Sequence, residues 1–162
     1  MMDVETKDTL TMALSSDTVI TITRMFNAPR ELVFRAMTDA AMITQWWGPR
    51  MLRTIIDKLE PNTGGRWRFL QYDPEGNEFA FNGIFKQFEP PSRLVMTFEF
   101  EPQAGHIIVN DSLLEDVGGK TKLTLVSTYP SKAVRDGMLE QGMEWGMREG
   151  YERLDEVLAT IS

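Results

Sequence analysis

The chain contains a single histidine, His106, with Asp111 and Ser112 a few residues downstream. A histidine held by an acid and facing a hydroxyl could activate serine for acyl transfer. The spacing argues against it here. Asp111 and Ser112 are neighbours in a segment that reads as a strand, so their side chains point to opposite faces. His106 is expected at a strand end near solvent. The absence of cysteine removes thiolate nucleophiles, disulfides and sulfur-ligated metals. One histidine and no clustered carboxylates leave a transition metal almost no ligands, so neither metal nor cofactor is expected. Glu99 and Glu101 alternate along a strand and share a face, as an acid–base pair would need. They end that strand beside a proline-containing turn and read as solvated acids. The glycine-rich "PNTGGRW" opens a strand, not a helix, so no helix N-terminus waits there for phosphate. No catalytic residue is expected.

Residues suited to binding are better represented. Trp67, Phe69 and Gln71 share one face of a strand, and Phe79, Phe81 and Phe85 share a face of the next. Such stripes build either a plain core or the wall of a cavity. The 11 methionines favour the cavity, because several fall on helices that would close it and thioether side chains line adaptable apolar sites well. Trp46 and Trp47, just before Gly48-Pro49, either form an entrance or anchor a short helix against the sheet. Tyr72 and Tyr151 are candidates to orient a ligand's polar end.

The elements that must position these residues follow from pattern. Residues 9–26, "TLTMALSSDTVITITRMF", read as a strand or strand pair, and "NAPRELVFRAMTD" as a helix with Pro29 at its first position. A second short helix begins near Asp39 and stops at "WWGP", where proline restricts the residue before it. A run of strands separated by "PNTGG", "PEGN", "PPS", "EPQAG" and "VGGK" then predicts a curled antiparallel sheet. From the N-cap candidate Ser131, one helix of about 30 residues is expected to reach Ile161. At 100° per residue Leu139, Met143, Met147, Tyr151, Leu154, Val157, Leu158 and Ile161 form its apolar arc, with Glu144, Arg148, Glu152 and Asp155 on the far side. Gly137 and the glycines of "GMEWGMREG" interrupt it, each costing about 1 kcal/mol relative to alanine. Gly142, Gly146 and Gly150 border the arc. Either something packs close against them, or they leave volume empty.

Composition bounds the remaining possibilities. The 162 residues suit one domain spanning 1–162, with 1–8 expected to be flexible. Lys plus Arg number 17 against 24 Asp plus Glu, a net charge of −7 that argues against nucleic acid as a partner. The opening "MMDVETKDTL" lacks a basic segment followed by an apolar one, and no window approaches a membrane span. A cytoplasmic location is expected.

Strand, two short helices, curled strands and one terminal helix is the order of a helix-grip fold. "ITRMFNAPRELVFRAMTD", "WWGP", "GGRWRF", "DPEGNEFAFNGIF" and "PPSRLVMTFEF" resemble the START-like (SRPBCC) superfamily. The similarity is strongest to the branch named after the carboxy-terminal domain of the Hsp90 ATPase activator, and covers about 20–160. The resemblance implies an α+β fold in which a curved antiparallel sheet of six or seven strands wraps the terminal helix, with a cavity between them. Relatives keep lipids, sterols, polyketides or plant hormones there, and a minority perform chemistry. On that basis Trp46, Trp47, Trp67, Phe69, Gln71, Phe79, Phe81, Phe85, Met138, Gly142, Met143, Gly146, Met147 and Gly150 are the expected ligand-binding residues, for a small apolar or amphipathic molecule. Two alternatives stand beside this reading. One is an enzyme of polyketide cyclase or hydrolase type using the same cavity. The other is a co-chaperone or stress-related interaction module working through its outer surface, although 162 residues leave no room for the activator's additional domain.

Overall fold

The computed structural model describes residues 9–161, so the segment 1–8 expected to be flexible lies outside the described residues. The elements are β1 (Thr11–Leu14), β2 (Val19–Phe26), α1 (Arg30–Thr38), α2 (Ala40–Trp46), β3 (Arg53–Leu59), β4 (Arg66–Tyr72), β5 (Glu78–Glu89), β6 (Arg93–Phe100), β7 (Ile108–Val117), β8 (Lys120–Thr128), α3 (Lys132–Glu140) and α4 (Met143–Ile161). All eight strands join one antiparallel sheet ordered β1-β2-β8-β7-β6-β5-β4-β3. There are more strands than the six or seven expected, because 9–26 folds back on itself. Thr11 pairs with Thr23 and Leu14 with Ile20, across a turn in which Ser15 N–H donates to the Val19 carbonyl at 2.9 Å.

One long connection turns this sheet into a wrapper. The helices α1 and α2 carry the chain from β2 to β3, the strand at the opposite edge. Six strands then step back one place at a time until β8 lies beside β2, with Val19 opposite Thr128. Register shifts at Ile56/Lys58 and Phe85/Gln87 bend β3 and β5. Asp39 joins the two helices. Its N–H closes α1 on the Arg35 carbonyl at 2.9 Å, and its carboxylate accepts from Ala41 N–H at 3.3 Å to cap α2.

The core forms where α4 packs over β2 and its neighbour β8. Ile20, Ile22, Phe26, Leu123 and Leu125 from the strands meet Leu154, Val157 and Leu158 from the helix, all buried. Burying each such side chain contributes about 1.5–3 kcal/mol. Asp155 is not on the solvent side as the helical wheel suggested. It accepts an ion pair from buried Arg24 at 2.8 Å. Among the described residues no helix is long and apolar enough to cross a membrane.

The single terminal helix of about 30 residues is corrected to two. Gln141 and Gly142 break it, with Gly142 in the left-handed region at φ +88°. Gly142 N–H reaches the Leu139 carbonyl at 3.1 Å and Gln141 N–H that of Gly137 at 3.0 Å, closing α3 as glycine-terminated helices close. Ser131 caps the other end by accepting from Val134 N–H at 3.2 Å. Gly142→Ala should therefore destabilise by about 1–2 kcal/mol, because a side chain is strained at that φ. Gly137 is helical, and a Cβ there would meet nothing within 4 Å. Gly137→Ala should stabilise by up to about 1 kcal/mol. Urea unfolding of both variants checks the opposite signs.

Outside the sheet, Glu101 sits in a short 3-10 turn, Glu101–Gln103, and accepts from Arg68 Nε at 2.8 Å and Asn82 Nδ2 at 2.9 Å. Glu99 nearby accepts from Gly105 N–H at 2.7 Å. The Arg68 guanidinium, then Asn82, hold the Glu101 carboxyl down to about 2 from its ordinary 4.5. A carboxyl depressed in the folded state adds stability above its unfolded value and loses it as pH falls through the folded one. Stability should therefore decline on acidification between pH 4.5 and about 2. Glu101→Gln should flatten that decline and lower Tm at neutral pH by only a few degrees, as befits a partly exposed pair. Thermal melts across pH read both effects.

Candidate functional site

Between the concave face of the sheet and the helices lies a cavity of about 270 Å³. Its sheet side comes from alternate residues: Phe69 and Gln71 of β4, Phe81 and Phe85 of β5, Leu94, Met96 and Phe98 of β6, Ile108, Asn110 and Ser112 of β7, and Leu125 and Ser127 of β8. Period two along each strand turns these residues inward together. The roof combines Met37 of α1, Trp46 of α2, Met138 of α3 and Met143, Gly146, Met147, Gly150 and Tyr151 of α4. A groove of about 380 Å³ adjoins it on the outside, lined by Met51, Leu52, Phe79, Phe100, Gly142 and Trp145. Pro49, Gln71, Phe81, Met138, Met143 and Gly146 line both, which marks the mouth between them.

Trp47 is the hub of an aromatic wall. Its ring meets Phe69 edge-on at 5.1 Å, Phe81 at 5.2 Å and Trp67 at 6.3 Å. Phe98 completes the wall at 5.4 Å from Phe81. Trp46 does a different job. Its indole N–H donates to the Ala36 carbonyl at 2.9 Å and its ring stacks on Tyr151 at 6.3 Å, so it anchors α2 to α1 and α4 while showing an edge to the cavity. Gln71, buried, donates from Nε2 to the Trp47 carbonyl at 3.2 Å, and Thr54 Oγ1 donates to the same oxygen at 3.0 Å.

Polar groups gather on the β7–β8 floor. Asn110 lies opposite Ser127, and Ser127 Oγ donates to Asn110 Oδ1 at 2.7 Å. Tyr129, one strand period further, has its hydroxyl beside Ser127. Burial pushes Tyr129 up to about 12, against the opposing Ser127 hydrogen bond. Tyr151 is likewise pushed to about 12 by burial, with Arg24 opposing. Both phenols stay protonated.

Of the expected ligand-binding residues, all but three line this cavity. Trp67 is buried behind the wall, its N–H donating to the Thr97 carbonyl at 3.2 Å. Phe79 and Gly142 line the outer groove instead. Phe79 lies near the far end of β5, beyond Phe81, and Gly142 is spent on the helix break. Tyr72 is on the outer side, donating to Glu78 Oε2 at 2.7 Å. His106 is exposed. Asp111 pairs outward with Arg93 at 2.7 Å while Ser112 faces in, so they separate as expected. The floor residues Asn110, Ser112, Ser127 and Tyr129 were not anticipated as cavity residues. Among the described residues no group of three or more His, Asp or Glu could hold a metal.

The two inner glycines differ. A Cβ on Gly146 would meet only Pro49 Cδ, at 3.9 Å. A Cβ on Gly150 would face backbone, with Gly48 N and the Trp46 carbonyl oxygen both at 3.5 Å.

A family model described as Activator of Hsp90 ATPase homolog 1-like protein matches residues 27–159. No curated protein matches the chain. Solved structures do. A Rhodobacter sphaeroides protein superposes with TM-score 0.87 at 28% identity, covering 93% of this chain and 99% of its own. One from Arthrobacter aurescens gives 0.84 at 26%, covering 96% and 93%. An HSP90 activator from Plasmodium falciparum gives 0.66 at 20%, covering 88% and 96%.

Gly150 therefore marks close packing and Gly146 marks space. Gly150→Val should cost about 1–3 kcal/mol, because its methyls would press on backbone that cannot rotate away. Gly146→Ala should instead stabilise by up to about 1 kcal/mol from helix propensity. Chemical denaturation of the two variants side by side tests the distinction.

Proposed function

Since the chain belongs to the family of Activator of Hsp90 ATPase homolog 1-like proteins, we propose that it is a cytoplasmic binding module. It holds a small, mostly apolar molecule between the sheet and the terminal helices and performs no chemistry on it. The observation that carries the reading is the cavity of about 270 Å³, walled by aromatic rings and roofed by Met37, Met138, Met143 and Met147. Its volume approaches the lower end of small-molecule sites, roughly 300 Å³. Apolar lining supplies the drive for an apolar guest, and unbranched thioethers let the roof adjust to its shape.

Two features weigh against cyclase or hydrolase chemistry in the same space. The cavity's polar groups are amides, hydroxyls and phenols, and the two phenols are pushed up to about 12. None exchanges a proton readily near neutral pH, as a general acid or base must. The Plasmodium HSP90 activator shares the fold at an identity that carries no partner across.

Binding of an environment-sensitive hydrophobic dye tests the proposal. The native protein should bind the dye with saturable fluorescence. Gly146→Leu, which projects a side chain from α4 toward the mouth, should weaken binding at least tenfold with its circular dichroism unchanged. Equal binding by both proteins would remove the cavity as the site.

A further inference from the structure

The cavity lining is uneven in a way that selects among guests. Among the described residues no charged side chain lines it. Its polar atoms are also unequally used. Asn110 Oδ1 is taken by Ser127, but the Asn110 amide N–H groups have no partner among the described residues. The hydroxyl of Ser112, on the same face of β7 two residues on, has none either, and nor does that of Tyr151 across the cavity. Ser112 and Tyr151 are each only 7% exposed. Yet their oxygens are not fully enclosed, because the only buried unpaired side-chain polar atoms among the described residues belong to Arg24. The surface that remains to them faces the cavity. An amide N–H can only donate, and a phenol pushed up to about 12 remains a donor.

We propose that the guest is a neutral, ring-containing molecule of one or two rings that carries an acceptor oxygen, such as a ketone, and lodges that oxygen on Asn110 and Ser112 or on Tyr151. This rests on the binding-module reading above and narrows it. The ring system lies against Trp47, Phe69, Phe81 and Phe98, where aromatic faces and edges are already arranged to receive it. Among the lining residues an ionised carboxylate finds no cation to offset its desolvation, and an ammonium no carboxylate. A sterol or a diacyl lipid would have to extend out of this cavity of about 270 Å³ into the adjoining groove, whereas a one- or two-ring guest fits inside.

Three probes of nearly one shape separate the alternatives: 2-acetylnaphthalene, its hydrocarbon isostere 2-isopropenylnaphthalene, and naphthalene-2-carboxylate. Quenching of tryptophan fluorescence at neutral pH reads binding, since Trp46 and Trp47 line the cavity. The ketone should bind about tenfold more tightly than the hydrocarbon, the scale of one hydrogen bond to an otherwise unpaired donor. The carboxylate should bind most weakly. The triple variant Asn110→Leu/Ser112→Ala/Tyr151→Phe should equalise ketone and hydrocarbon. Retained hydrocarbon affinity would show that this variant is folded with its cavity intact. Hydrocarbon binding equal to or tighter than ketone binding, or carboxylate binding tightest, would overturn the acceptor-oxygen proposal and leave the binding module standing. Failure of all three probes to bind would take down both.

Discussion

Everything in this molecule depends on how the loop after α2 is fastened to α4. A Cβ on Gly150 would already touch the loop backbone, 3.5 Å from Gly48 N and from the Trp46 carbonyl oxygen, so the helix runs close against the loop at this point. Arg153 Nη1 donates to the Gly48 carbonyl at 2.9 Å and to that of Pro49 at 3.2 Å, and Glu149 accepts from Arg50 N–H at 2.9 Å. Arg50 also pairs with Glu156, two helical turns further along. From below, Gln71 and Thr54 both donate to the Trp47 carbonyl. The loop is thus held between helix and sheet by directional bonds rather than by apolar packing. That leaves the Trp47 ring free to serve as a wall of the cavity instead of being consumed as its filling.

The consequence is a space whose two sides have different chemistry. Toward β4–β6 the rings of Trp47, Phe69, Phe81 and Phe98 form a stiff surface of edges and faces, since aromatic side chains turn about only two torsions. Toward β7–β8 the floor sets the amide of Asn110 and the hydroxyls of Ser112 and Ser127 among Ile108 and Leu125. The roof is the adaptable part. Met138 arrives from α3 and Met143 and Met147 from α4, on either side of the Gly142 break. An unbroken helix would carry its residues along one line. The break lets two helix ends converge on the mouth, and the groove beyond it includes Gly142 itself.

Much of this was legible in the sequence, for identifiable reasons. The "WWGP" stop, the Asp39 junction and the proline and glycine turns between strands are local chemistry, and they appear where local chemistry puts them. The helix break was overlooked because three glycines four residues apart look alike on a helical wheel. Only Gly142 is required at positive φ, and only tertiary contact separates Gly146 from Gly150. The inward face of β6 could have been read, since Leu94, Met96 and Phe98 alternate with Val95, Thr97 and Glu99. For β7 no such signal exists. Ile108, Asn110, Ser112 and Leu114 alternate with Val109, Asp111, Leu113 and Glu115, and each set mixes apolar with polar residues. The floor's hydroxyls and amide face inward because of pairing with β6 and β8, which is long-range information.

The same kind of information resolves a charge in the core. Arg24 is 1% exposed, with Nη1 on Asp155 at 2.8 Å, its guanidinium 4.8 Å over the Phe26 ring, and Nε and Nη2 without a partner among the described residues. Burial raises the Asp155 carboxyl above its ordinary value against the pull of Arg24. Desolvation of this kind often exceeds the Coulombic gain, so the pair is a poor candidate for a net stabiliser. What it supplies is position. Two residues along β2 from Arg24, Phe26 meets Tyr151 edge-on at 5.5 Å, and Tyr151 lies four residues before Asp155 on α4. Two strand residues advance about 6.8 Å and four helical residues about 6.0 Å, so both contacts can be made at once with the helix antiparallel to the strand. Together they fix the rotation and the translation of α4 on the sheet. With the helix so locked, Gly146 and Gly150 turn to the "WWGP" loop, the methionines turn to the cavity, and the Tyr151 hydroxyl comes to its edge. A hydrophobic pair in place of Arg24 and Asp155 could bury as much surface but would not specify one register over its neighbours.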